Sequence, residues 1–241
     1  MRRPLLLILA LVLVFTAANA YADRTATVSR LDEAVAQEFQ FPTETRQDCT
    51  LGNQNPPSFL VSGWFIGQER YKYLIFPPEQ CACPVGFQLL NVNMLLSFDA
   101  TMVPVSFIVR GDLGEAIWDA TNGVWVPGSD YFVSGDYIVT IDEPGVYVIT
   151  VPMDGVECAF MDYHYFIGLE FVDPFDADLV IDEFPEIGVT YNDWGSGWYD
   201  LYFAFLTKSS GKTIIWGDII CCEPAVDNEA QTWGKIKQLY R

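Results

Sequence analysis

Residues 103–126 read VPVSFIVRGDLGEAIWDATNGVWV, and their pattern decides the fold. Val103, Val105, Phe107 and Val109 recur at every second position, the period that places side chains on one face of a β-strand. Ala116–Trp118 and Val124–Val126 then bracket Asp119-Ala120-Thr121-Asn122-Gly123, which ends in the Asn-Gly pair that favours a hairpin turn. Further on, Tyr137–Ile141 and Val146–Val151 bracket Asp142-Glu143-Pro144-Gly145, a second strong turn. Upstream, Phe59–Gly67 and Tyr71–Phe76 flank a turn-like Gln68-Glu69-Arg70, and Phe87–Phe98 is long enough to predict a bend or bulge. Tyr163–Val172, Trp198–Phe205 and Thr213–Ile220 bring the total to roughly ten strands at short spacing. This pattern predicts an all-β fold, a two-sheet antiparallel β-sandwich of jelly-roll type over residues 45–223. An outer-membrane barrel needs strands of about ten residues that alternate apolar and polar. Strands such as Thr213–Trp216 are instead short or apolar on both faces, and the chain ends on the basic Arg241.

The flanks read differently. Arg2 and Arg3 precede an uncharged apolar run, Leu5–Phe15, and two overlapping A-x-A sites follow at Ala18–Ala20 and Ala20–Ala22. This predicts a signal peptide over residues 1–22 and export to a secreted, periplasmic or cell-surface location in a bacterium, with no membrane span after cleavage. Residues 23–44 form a leader segment. There Leu31, Val35 and Phe39 recur at i, i+4 and i+8 behind Ser29-x-x-Asp32, which predicts a short N-terminal helix or a loose leader. Residues 224–241 read as a linker and a short basic tail, with Trp233, Ile236 and Tyr240 on one side of a helical turn. The tail suits a tag read by an export or surface-assembly machine, docking on the acidic body, or a frayed end.

Charge narrows the partners. The chain carries 13 basic and 32 acidic residues, a formal net charge of −19, which argues against nucleic acid and anionic lipid. Between Lys72 and Lys208 the one basic side chain is Arg110, against 21 acids. All six cysteines (Cys49, Cys81, Cys83, Cys158, Cys221 and Cys222) follow the leader peptide. An even number in an exported chain predicts disulfides, with the connectivity open. Adjacent Cys221 and Cys222 point to opposite faces of a strand and so take different partners. Zinc is disfavoured, because the spacing of zinc ribbons is absent and His164 is the sole histidine.

Few residues point to chemistry. His164 has no nucleophile motif beside it, and there is no phosphate-binding loop. No catalytic residue is therefore assigned, and a non-enzyme is expected. Asp173, Asp176 and Asp178 offer hard oxygen ligands for calcium without the EF-hand pattern; otherwise they form an acidic loop that keeps a sheet edge soluble. No other cofactor is expected. The run Tyr191-Asn192-Asp193-Trp194-Gly195-Ser196-Gly197-Trp198-Tyr199 places aromatic rings on a glycine-flexed loop beside Asn and Asp. Rings of this kind stack on the apolar face of a sugar while the polar neighbours bond its hydroxyls; the alternative is that Trp194 and Trp198 plug one end of the core. The ligand candidates are thus Tyr191, Asn192, Asp193, Trp194 and Trp198.

Cys81-Ala-Cys83-Pro84-Val-Gly86-Phe87, the run from Tyr191 to Tyr202, Trp216-Gly217-Asp218-Ile-Ile-Cys221-Cys222 and the ending Trp233-Gly234-x-Ile-Lys237-x-Leu-Tyr-Arg241 span most of the chain beyond residue 22. They are similar to secreted proteins of environmentally sampled bacteria that share a WGxIKxLYR-like C-terminal signature. The resemblance implies an exported β domain with a short C-terminal signature and carries no activity, ligand or catalytic residue. The expected function is an exported, monomeric, non-catalytic binding or surface-associated module whose partner is a glycan or cell-surface component. The alternatives are a structural component of the cell envelope or an extracellular assembly, and a carboxylate-dependent glycoside hydrolase.

Overall fold

The computed structural model describes residues 27–31, 49–204 and 211–223. The signal-peptide reading of residues 1–22 and the tail reading of residues 224–241 lie outside the described residues. The chain is all-β. Its strands are β1 (Thr27–Leu31), β2 (Cys49–Gly52), β3 (Phe59–Ile75), β4 (Gly86–Phe98), β5 (Val105–Asp119), β6 (Val124–Val133), β7 (Tyr137–Ile141), β8 (Gly145–Pro152), β9 (Ala159–Phe160), β10 (Tyr165–Ile181), β11 (Thr190–Asp193), β12 (Trp198–Asp200) and β13 (Ile215–Cys221). Single helical turns occupy Pro77–Gln80 and Leu201–Ala204. Among the described residues, no helix is long and apolar enough to cross a membrane.

The strands form one continuous antiparallel sheet that curls over itself, where the sequence predicts two separate sheets of a jelly roll. One layer runs from β6 and β7, which share an edge of β5, through β5, β10 and β3 to β11 and β12. The other runs β1, β8, β4, β13, β2. The layers are joined because β10 belongs to both. Its first half lies between β3 and β5, while Asp178 and Leu179 beyond its bend pair with β4. The bend is a series of register shifts between Phe171 and Leu179. The Asp173–Asp178 segment expected to form an edge loop is thus a bulged part of an interior strand. Its polar groups tolerate that place because Asp173 accepts the Ile108 N–H at 2.7 Å, restoring a ladder bond that the bulge breaks.

A second bulge faces it. Gln68-Glu69-Arg70 does not turn the chain, and β3 runs through it for 17 residues. Gly67 and Gln68 adopt φ of 70° and 55°, which frees the nearby backbone N–H groups from the ladder. The buried Glu69 carboxylate collects them, accepting Ile66 N–H at 2.8 Å and Gly67 N–H at 3.2 Å. A polar triplet that resembles a turn is therefore a self-capped bulge.

The core lies between the layers. Phe107 stacks on Phe175 at 3.8 Å, and Phe65 meets Phe171 at 4.9 Å and Phe175 at 4.8 Å. Phe98 of the second layer reaches Phe107 at 6.3 Å. Each such fully buried ring stabilises the fold by roughly 1.5–3 kcal/mol. The Asn122-Gly123 hairpin forms as read, with Asp119 opposite Val124. The Asp142–Gly145 turn passes the chain from β7 in one layer to β8 in the other. β4 carries the expected irregularity, where Leu90 falls between the partners of Asp218 and Ile219.

Two segments differ from the local pattern. Thr27–Leu31 of the leader segment is a strand that pairs with Val146–Thr150 over its full length, and the rest of the helical pattern of Leu31, Val35 and Phe39 lies beyond Leu31, outside the described residues. The strand expected over Trp198–Phe205 stops at Asp200, where the Asp200 carboxylate accepts the Tyr202 N–H at 3.0 Å and starts a helical turn.

Three disulfides, Cys49–Cys81, Cys83–Cys221 and Cys158–Cys222, engage every cysteine, and the adjacent pair takes separate partners as the strand geometry demands. They tie β2, the segment before β4 and the segment before β9 to one end of the second layer.

Candidate ligand-binding site

The aromatic run forms an open cleft of about 450 Å³ lined by Trp64, Trp194, Trp198, Tyr199, Asp200 and Phe203. Its shape begins with Asp193, whose carboxylate accepts the N–H groups of Gly195 at 2.7 Å and Gly197 at 3.0 Å. Both glycines hold positive φ, 86° and 114°, so this tight connection between β11 and β12 requires them. The turn leaves Trp194 and Trp198 half-buried on its two limbs. Trp194 packs at 5.1 Å on Trp64 from β3 and at 5.0 Å on Tyr199. Tyr199 and Phe203 stay exposed.

A buried ionic cluster supports Trp198 from behind. Arg70 and Lys72 each lie 5.2 Å from its ring centroid, within cation–π range. Lys72 is fully buried and bonds Asp112 at 3.0 Å and Asp130 at a shorter distance, while Arg70 reaches Asp130 at 2.6 Å and Asp112 at 3.3 Å. The register explains the span. Lys72 on β3, Gly168 on β10 and Asp112 on β5 stand side by side, so a side chain at 168 would block the lysine's path. A Cβ there would sit 2.1 Å from the Tyr71 carbonyl oxygen and 2.8 Å from the Lys72 side chain. Burial pushes the Asp112 carboxyl above its usual range, against the opposing charges of Lys72 and Arg70. Burial also acts to raise Asp130, but hydrogen bonds and charge from Lys72 and Arg70 outweigh it and hold that carboxyl low.

The structure divides the sequence candidates. Trp194 and Trp198 line the cleft, and Asp193 caps the turn between them. Tyr191 and Asn192 face inward: the Tyr191 hydroxyl donates to the Trp125 carbonyl at 2.8 Å, and the Asn192 amide donates to Glu69 at 2.8 Å and to the Arg70 carbonyl at 3.1 Å. Alternation places the two on opposite faces of β11, and both faces are covered: Tyr191 packs on Phe166, 5.5 Å away, while Asn192 meets Glu69 on the other side. Trp64, Tyr199 and Phe203 complete the wall. Tyr199 belongs to the aromatic run, whereas Trp64 comes from a strand more than a hundred residues earlier and carries no local signal.

Asp173, Asp176 and Asp178 do not converge on an ion. Asp173 faces the Ile108 backbone, Asp176 is exposed and Asp178 is buried opposite Ser97. Among the described residues, no three Asp, Glu, His or Cys side chains stand together as a metal site. His164 lies between Phe76 at 4.3 Å and Trp125 at 4.2 Å, stacked on both rings, and burial lowers its pKa despite the Glu79 charge.

No family model, curated protein or solved structure matches this chain.

Proposed function

We propose that the protein is an exported, non-catalytic carbohydrate-binding module whose ligand stacks on Trp194 and Trp198. The observation that carries this reading is the open cleft in which both rings, with Trp64 and Tyr199, are held in place by the Asp193-capped turn. Sugars bind through flat apolar faces and peripheral hydroxyls, so they need aromatic platforms that do not reorganise. The support behind Trp198 supplies that rigidity, and the Ser196 and Tyr199 hydroxyls, 3.3 Å apart, supply polar contacts at the rim. Three disulfides favour an oxidising compartment, in keeping with the signal-peptide-like start.

The wall speaks for binding rather than hydrolysis. Glycoside hydrolysis uses two facing carboxyl groups. Among the described residues the one acid in the wall, Asp200, accepts the N–H groups of Gly188 at 2.7 Å and Tyr202 at 3.0 Å, so its oxygens hold the backbone. Retention on a panel of insoluble polysaccharides tests the reading. Binding to at least one neutral glycan, weakened tenfold or more by Trp194→Ala, is expected. Retention that is unchanged in Trp194→Ala and Trp198→Ala variants defeats it.

A further inference from the structure

A larger cleft of about 630 Å³ opens where the β5–β6 hairpin meets the segment leading through β9 into β10. Three of its rings face solvent: Tyr131 is 62% exposed, Phe160 66% and Tyr163 61%. Large rings turned outward in one concavity mark a binding surface more than a packing accident. The backbone that carries them is fixed. Cys158 is bonded to Cys222, Ala159 pairs with Phe87, the Gln88 amide donates to the Val156 carbonyl at 2.9 Å, and the Tyr165 hydroxyl donates to the Phe160 carbonyl at 3.0 Å. The rings are thus presented ready-made, and a ligand has little ordering cost to meet.

The wall's chemistry selects the ligand. It combines aromatic faces, which are negative at their centres, with one charged side chain, Glu157, and no Lys, Arg or His among the described residues. Burial and the charge of Glu115 raise the Tyr131 hydroxyl's pKa. The surrounding protein carries a formal net charge of −19, which concentrates cations at its surface. Aromatic faces attract a cation without hydrogen-bonding it, so the fitting cation is one whose charge is spread over methyl groups. We propose that this cleft binds a small quaternary ammonium group by cation–π contact with Tyr131, Phe160 and Tyr163. This site is separate from the tryptophan cleft and stands whether or not that cleft binds sugar.

Choline is the probe, titrated calorimetrically into the full oxidised protein at fixed ionic strength. Its neutral isostere 3,3-dimethylbutan-1-ol is titrated in parallel. Saturable choline binding is expected, with the alcohol at least fivefold weaker, since only the charge distinguishes the two. Phe160→Ala and Tyr163→Ala should each weaken choline roughly two- to fivefold, and Trp194→Ala should leave it unchanged. Equal binding of choline and the alcohol overturns the proposal, as does a choline titration without saturation. Because the comparison of the two probes uses the unaltered protein, it decides the matter even if a variant folds poorly.

Discussion

Lys72→Met tests the account of the ionic cluster. Lys72 is fully buried, and the methionine nearly preserves the volume of its stem, so the change chiefly removes the charge. At the observed 3.0 Å, the Lys72–Asp112 attraction is about 5–6 kcal/mol at an effective dielectric constant of 20, before the desolvation of both ions. Desolvation takes back much of that, but removing one partner leaves Asp112 buried with only Arg70 at 3.3 Å, a change that costs about 3–5 kcal/mol. The pH dependence carries the signature. Burial already raises the Asp112 carboxyl, and the loss of Lys72 raises it further. Between the unfolded and folded values the native state then holds a proton that the unfolded chain releases. Stability of the variant therefore falls as pH rises through that window and levels off above it. The assay is urea denaturation with the disulfides intact, from pH 4 to pH 7. The expected deficit against the parent is largest at pH 7 and shrinks toward pH 4. A loss below about 1 kcal/mol at pH 7, or one that does not change with pH, refutes the charge-balance argument.

Other outcomes follow from the same geometry. Glu69→Gln should cost about 1–3 kcal/mol by urea denaturation, because an amide cannot accept from Ile66, Gly67, Tyr71 and Asn192 at once; an unchanged midpoint contradicts the self-capped bulge. Gly168→Ala places a Cβ 2.1 Å from the Tyr71 carbonyl and should destabilise by roughly 1–3 kcal/mol or more, read as a lower melting temperature. The double change Cys83→Ser with Cys221→Ser opens a link across 138 residues and should cost roughly 4–5 kcal/mol, against little change in the shape of the folded spectrum. His164 titrates below its ordinary value in the folded protein because of burial, so stability should decline as pH falls through about 6.5 and flatten below the folded value. His164→Phe should remove that acid-side decline in a melting series.

The sequence made the strands legible wherever neighbours along the chain decide them. Asn122-Gly123 set the β5–β6 hairpin, period two marked Phe107 and Val109 as core, and the Cys221-Cys222 adjacency required separate partners. It misled where distant residues decide. Gln68-Glu69-Arg70 resembles a turn until Asn192 and Tyr71 satisfy the Glu69 carboxylate inside the sheet. The Asp173–Asp178 acids resemble a solvated loop or a calcium site until β10 is seen to bend there between two layers. The candidate cleft was half-legible: Trp194 and Trp198 stand on a glycine turn that the sequence spells out, while Tyr191 and Asn192 are buried on opposite faces of β11 because neighbouring strands cover both. Trp64 and the Arg70–Lys72 support arrive from β3 through sheet pairing that no local pattern encodes.

The central claim is that the tryptophan cleft holds sugar by stacking. Its most direct measurement is indole fluorescence of the intact protein during titration with soluble glycans of the kind it retains, repeated with Trp194→Ala. A saturable change in emission that is lost in the variant, while the circular dichroism stays the same, is the predicted result. Glycan retention accompanied by no change in indole emission, or an equal affinity in the variant, contradicts it.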